Sequence, residues 1–229
     1  MKIYQKIYDW FIFPHRIVAL RRYVRKPNPL ILDVGCGNHS SRVAKTYFPA
    51  CQYHGVDKQR WNWNGEDDKY ADRIYNLDLD QPGVMAQIPD GQYDAVICSH
   101  VLEHLSQSYE VVPELVRKVK CGGIIYIEVP SERSLTLPKA QRGWWGLRGC
   151  LNFYDDDSHK TMVSLSRVAH ILENNGCHVL RLGRCWMWRR VLFLPAYVIA
   201  CFVVKGFIPT SVVWDITGFA IGLTAVRKA

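Results

Sequence analysis

The chain has 229 residues, 48% of them apolar and 22% charged, and its formal net charge is +8. That balance excludes a disordered or fibrous chain, and the length suits one domain with decoration. Residues 1–27 carry +6 and residues 181–229 another +6, which leaves −4 for the middle, so a track for a nucleic-acid backbone is not expected.

The first segment, 1–27, joins its charge to aromatics. Ile3, Ile7 and Phe11 fall at helical spacing, with Tyr4, Tyr8 and Trp10 beside them. Its apolar pieces are short and broken by charges, with no small-residue cleavage site, so it reads as a basic helical segment and not as a signal peptide. The eight cysteines show no C-x-x-C pair, and several sit in apolar runs. They are expected to be reduced thiols of a cytoplasmic protein, not disulfides or zinc ligands.

From residue 28 the chain alternates β-rich runs with helical stretches. "LILDV" (30–34) is a continuous apolar run that ends at glycines, as a buried parallel strand does. A helix around Ser41–Tyr47 follows, then strands at 53–57, 73–79 and 93–99. A helix over 109–119 leads to Gly122-Gly123 and a strand at 124–129. Later, "SLSRVAHILENNG" has Ser164 as N-cap and Gly176 as stop, before strands at 178–183 and 218–228. Such alternation predicts an α/β, doubly wound, mostly parallel sheet with right-handed crossovers.

Ligands of such sheets bind beyond the carboxyl ends of the strands. There, Gly35 and Gly37 let the backbone turn tightly and approach a ligand. Asp57 closes the second strand, where a carboxylate can take both hydroxyls of a ribose, and Asp78 closes the third, where an acceptor can meet an adenine amino group. A dinucleotide fingerprint would place glycine where Ser40 stands and an apolar residue where Asp33 stands. A carboxylate at 33 repels a pyrophosphate and attracts an ammonium, which favours a cationic, phosphate-free adenosine ligand.

"LDVGCGNHS", "YHGVD", "NLDLD", "YDAVICSHVLEHL" and "GGIIYIEVPS", in this order, resemble the class I S-adenosylmethionine-dependent methyltransferases, within them the small-molecule, ubiquinone-biosynthesis-like group. The resemblance covers about residues 28–180. It implies a seven-stranded Rossmann-like sheet whose last strand, at 218–228, is antiparallel. It also implies S-adenosyl-L-methionine as cofactor, with the methionine moiety near Asp33, Gly35 and Gly37, ribose on Asp57 and adenine near Asp78 and Leu79. Ser99 and His100 would line the cofactor cleft. Asn38-His39 departs from the small residue that many members carry after the second glycine.

His100, Glu103 and His104 form H-x-x-E-H, a spacing known from inverted zinc peptidases. Following strand four of such a sheet, it is expected to be structural, with no metal. The stretch 142–164 mixes Arg142, Trp144, Trp145, Phe153 and Tyr154 with three aspartates and His159. It is the expected acceptor floor, and His159 the expected general base if the acceptor is a hydroxyl. An exposed turn over Asp155–Ser158 is the alternative.

An apolar insertion over about 187–216 precedes the last strand. Val191–Val204 is uncharged but offers 14 residues with Pro195 inside, short of the ~20 that a spanning helix needs. Arg184, Arg189, Arg190 and Lys205 flank it, with Trp186 and Trp188 at one end, as at a headgroup boundary. Two arrangements remain: an interfacial insertion on an anionic membrane, or a helix buried in the core. The expected function is methyl transfer to a small-molecule, glycan or lipid-linked acceptor, from a peripheral position on the inner face of a membrane. A methyltransferase-like, membrane-associated binding or scaffolding module with little or no catalytic activity is the alternative.

Overall fold

A computed structural model of the protein describes residues 14–140 and 146–228. Its centre is a seven-stranded sheet: β1 (Leu30–Val34), β2 (Gln52–Asp57), β3 (Arg73–Asn76), β4 (Tyr93–Ser99), β5 (Val119–Pro130), β6 (Cys177–Arg184) and β7 (Ala220–Arg227), in the spatial order β3-β2-β1-β4-β5-β7-β6. Strands β1 to β5 pair in parallel, and β7 enters antiparallel between β5 and β6. The winding reverses between β1 and β4, which opens a crevice beyond their carboxyl ends.

Side chains alternate across the sheet and sort two cores. Ile31, Tyr53, Ala95, Ile97 and Tyr126 point to one face, with Leu20 of α1 (His15–Tyr23) and Ala44 of α2 (Ser40–Tyr47). Leu32, Val34, Val96, Ile125 and Ile127 point to the other, against Leu115 of α4 (Val111–Lys118) and Val168 and Leu172 of α5 (Leu165–Asn174). Between β2 and β3 stands only a short helix, α3 (Gly65–Asp68). Ser164 caps α5, its Oγ accepting from Arg167 N, and Gly176 follows the helix at φ +83°.

Three boundaries differ from the sequence expectation. β3 stops at Asn76, because Asp78 starts a turn: its side chain accepts from Asp80 N and its carbonyl from Gln81 N. The helix expected over 109–119 starts at Val111 and ends at Lys118. Finally, β5 runs through Gly122-Gly123, which bulge out of the pairing with β4 instead of preceding the strand.

The apolar run folds as two helices, α6 (Trp188–Leu192) and α7 (Leu194–Lys205), followed by α8 (Trp214–Thr217). Pro195 lies in the first turn of α7, where a missing N–H costs nothing, and Gly206 ends the helix at φ +71°. Tyr197, Cys201 and Val212 bury a small satellite core with Leu194, Val198 and Ile208. The Arg190 guanidinium donates to Asp215 Oδ1 at 2.9 Å, and His15 Nε2 lies 3.1 Å from the same oxygen, so the insertion is tied to α1. Among the described residues no helix is long and apolar enough to cross a membrane. All eight thiols are free.

Candidate active site

The turn after β1 is held from below, where Gly35 N and Cys36 N donate to Val56 O. Gly35 has φ +78°, and a Cβ there would stand 2.1 Å from Val101 Cγ2. At Gly37 a Cβ would meet Trp61 O at 2.7 Å. Both glycines are thus required by the protein's own packing, in addition to any ligand. Asn38 and His39 both take left-handed backbone, at φ 57° and 58°, a conformation in which Asn and His are enriched. Asn38 N donates to Trp61 O, Asn62 Nδ2 to Asn38 Oδ1, and His39 Nδ1 lies 2.6 Å from Asp67 Oδ2. The departure from a small residue therefore marks a turn locked against the loop after β2.

Asp33 is 3% exposed, and its Oδ2 accepts from Tyr53 Oη at 2.8 Å. Burial pushes its pKa up to about 6, against the opposing charge of Arg16 and hydrogen bonds from Tyr53 and Ser40. Arg16 arrives from α1, with Nη2 3.4 Å from Ser40 Oγ at the start of α2. Nothing near Arg16 in the sequence marks its place beside Ser40, because residues 1–27 read as a segment apart from the sheet.

Asp57 ends β2, where its Oδ1 accepts from Gln59 N and Arg60 N at 3.0 and 3.2 Å. These bonds fix the carboxylate at the carboxyl end of β2. Asp78 lies two residues past β3, partly exposed, with Lys58 Nζ 3.7 Å from Oδ1. Leu79 packs against the core beside it. The expected pair at the adenine end is thus carried by a turn and not by a strand end.

Ser99 closes β4 and is partly exposed. His100 follows with left-handed backbone, φ 55°. Its Nδ1 lies 3.1 Å from Glu103 Oε1, and its Nε2 3.1 Å from Glu128 Oε1. Burial disfavours a charged imidazole, but hydrogen bonds and charge from these two carboxylates raise its pKa to about 10. Burial alone would likewise raise Glu128, yet His100 holds it at about 2. Tyr126 Oη donates to the other Glu128 oxygen. His100 thus bridges two buried carboxylates at the carboxyl end of β4. The rings of Trp214 and Phe219 cover it, at 5.1 and 6.3 Å.

His104 turns away from His100. Its ring lies 4.8 Å from that of His159, and Ser158 Oγ sits 2.9 Å from its Nδ1. H-x-x-E-H therefore does not act as one unit. One donor atom from each of Glu103, His104 and His159 falls within 4.8 Å of the others, and Glu103 Oε2 is buried with no hydrogen-bond partner among the described residues. His159 Nδ1 is 2.6 Å from Phe153 O, a pure acceptor, so Nδ1 carries the proton and Nε2 of the neutral ring offers a lone pair. Asp156 Oδ2 lies 4.0 Å from that Nε2. Burial would raise Asp156, but the Ser158 hydroxyl and N–H keep its pKa below the usual carboxylate range.

The other aspartates have local duties. Asp155 accepts from Ala140 N, Leu151 N and Asn152 N, which fixes the short turn Phe153–Asp155. Part of the expected acceptor floor, Arg142, Trp144 and Trp145, lies outside the described residues.

A buried carboxylate for an ammonium, a guanidinium beside it for a carboxylate, and an aimed carboxylate for a ribose diol suit the amino-acid and adenosine ends of S-adenosylmethionine. A family model described as a methyltransferase domain matches residues 8–182. No curated protein matches the chain. A SAM-dependent methyltransferase from Archaeoglobus fulgidus is similar at a TM-score of 0.56 and 20% identity, with 99% of this chain and 100% of that one covered. A Haemonchus contortus phosphoethanolamine N-methyltransferase 2, in complex with S-adenosyl-L-methionine, gives 0.59 and 15%, covering 97% and 56%. A SAM-dependent methyltransferase from Aquifex aeolicus gives 0.54 and 15%, covering 95% and 91%. At these identities the likeness to solved structures is one of fold; the family match spans most of the chain. The protein belongs to the methyltransferase-domain family and is a class I S-adenosylmethionine-dependent methyltransferase.

Proposed function

We propose that the protein methylates a hydroxyl of a small-molecule, glycan or lipid-linked acceptor while resting on the inner, cytoplasmic face of an anionic membrane. The observation that carries this reading is the continuity of the insertion. It joins the exposed apolar side chains of α7 to Trp214, whose ring lies tilted 5.1 Å from that of His100 at the carboxyl end of β4. An acceptor rooted in a membrane under α7 would be delivered to the carboxyl ends of β4 and β5.

Bound S-adenosylmethionine supplies an electrophilic methyl group. Asp33 and Asp57 hold its two ends, and in the protein's own part of the reaction His159 takes the acceptor's proton on Nε2. Asp156 then faces the imidazolium that forms, and Phe153 O keeps the ring oriented. Because the imidazole is only 5% exposed, a proton taken there is shielded from bulk water.

The test is to incubate the protein with methyl-labelled cofactor and fractionated lipids, glycans and RNA. Label should enter a lipid or glycan fraction. His159→Ala should slow that transfer by about 10²–10⁴ while leaving cofactor affinity unchanged. Label in RNA alone contradicts the acceptor class. Full activity of the variant removes His159 as base, and cofactor binding without transfer to any fraction points to a binding module.

A further inference from the structure

On the α1 face of the sheet, away from the glycine turn, lies a cleft of about 310 Å³, at the lower end of the range for small-molecule pockets. The middle of β5, β6 and β7 forms its floor through Tyr126, Gly183, Gly222 and Thr224, and α1 forms one wall. Its lining is one-signed. Arg22, Arg181, Arg184 and Arg189 contribute, with His15, and no carboxylate lines it among the described residues. Arg22, Arg181 and Arg184 are in no ion pair among the described residues. Arg184 Nη2 donates only to the carbonyls of Asp215 and Ile216.

Arg22, Arg181 and Arg184 line one cleft without an ion pair among the described residues, so their like charges repel one another. An anion would relieve that repulsion, and guanidinium forks match phosphate oxygens. Trp186 and Trp188 stand at the rim, 50% and 59% exposed. Leu192 follows one turn later, at the end of α6, at 64% and leads into α7. An arginine-lined hollow with an indole rim that continues into an exposed apolar helix has the polarity profile of a membrane interface, from headgroup to acyl chain.

We propose that this cleft is a binding site for the phosphate of an anionic membrane-lipid headgroup, held by Arg22, Arg181 and Arg184, with Trp186 and Trp188 at the glycerol level. The proposal rests on the membrane reading above and adds a site to it. It distinguishes a seated phosphate from diffuse attraction to negative charge.

Three full-length proteins decide it by cosedimentation: wild type, Arg22→Glu/Arg181→Glu, and Arg25→Glu/Arg167→Glu. Both pairs are exposed and change net charge equally, but only the first lines the cleft. The vesicles are phosphatidylcholine doped either with phosphatidylglycerol or, at matched surface charge, with oleate. The wild type should prefer phosphatidylglycerol. The cleft variant should lose about tenfold or more of that binding and its preference, the control pair far less. S-adenosylmethionine affinity should stay equal in all three.

Equal losses in the two variants, or equal binding to oleate vesicles, would overturn the site while leaving the membrane reading standing. A wild type that binds no vesicle overturns the membrane reading itself. If glycerol phosphate then titrates into the cleft, and does so less in the cleft variant, the ligand is a free phosphate and the lipid assignment falls.

Discussion

Asp33 joins two demands in one side chain. It is buried with a pKa of about 6, yet holding the ammonium of a methionine moiety requires its charged form. Over about pH 5–7 the ligand's ammonium stays charged, so the competent fraction of the protein is set by Asp33. The sign follows: affinity is full above the raised pKa and falls as the pH drops through it. Calorimetry should show S-adenosylmethionine binding about tenfold weaker near pH 5 than near pH 7. Asp33→Asn should bind weakly at both, without the slope. A wild-type affinity constant over that range contradicts the ammonium role. Much at this scale was legible in the sequence: Asp33, the two glycines and Asp57 stand together at the crevice as their spacing implied. What was hidden came from across the fold. Nothing near Gly35 or Gly37 announces that Val101 and Trp61 fill the space a Cβ would need, and nothing near His100 announces Glu128 of β5.

Helix α1 shows how an element can serve three surfaces at once. Ile17 and Leu20 bury into the sheet, at 1% and 0% exposure. His15 reaches Asp215 of the insertion, and Arg16 reaches Ser40 beside the glycine turn. The described half of the basic N-terminal segment is therefore part of the domain's core, while Ile3, Tyr4, Ile7, Tyr8, Trp10 and Phe11 lie outside the described residues. If Arg16 meets the carboxylate of the methionine moiety, Arg16→Met should weaken S-adenosylmethionine binding by about 1.5–3 kcal/mol, the range for hydrogen bonds to charged groups. Arg25→Met, just past the same helix, serves as control. A lower Tm with unchanged affinity would leave Arg16 a structural role only. Strands were the elements most legible in the sequence, since buried parallel strands are continuous apolar runs. Helix ends were less so, because Pro195 looks like a break in an apolar run until the run divides and places it in a first turn.

For the molecule as a whole, the telling feature is apolar surface left in water. Leu192 and Ile199 are each 64% exposed, Phe202 55% and Val203 76%. They project from the side of the insertion opposite the satellite core of Tyr197, Cys201 and Val212. The sequence could not decide between a buried helix and an interfacial one, since an uncharged run suits both. In the structure one stripe of α7 is covered, while Ile199, Phe202 and Val203 are bare. A helix of 12 residues is about 18 Å long against a hydrocarbon core of about 30 Å, so it can lie in an interface but cannot cross it. Deleting residues 187–209 would be a poor test, because removing Arg190 leaves the buried Asp215 carboxylate without its guanidinium. Substituting only exposed side chains avoids this. Leu192→Ser/Ile199→Ser/Phe202→Ser/Val203→Ser should hold its stability within about 1 kcal/mol, as exposed sites lose little packing, and should bind S-adenosylmethionine as the wild type does. With anionic liposomes at low salt, the wild type should float and the variant should not. High salt should weaken wild-type flotation in part, since it screens the basic residues but not the apolar contact. A variant that floats like the wild type would show that α7 is not the membrane contact, and a wild type that stays in the soluble fraction would end the membrane reading.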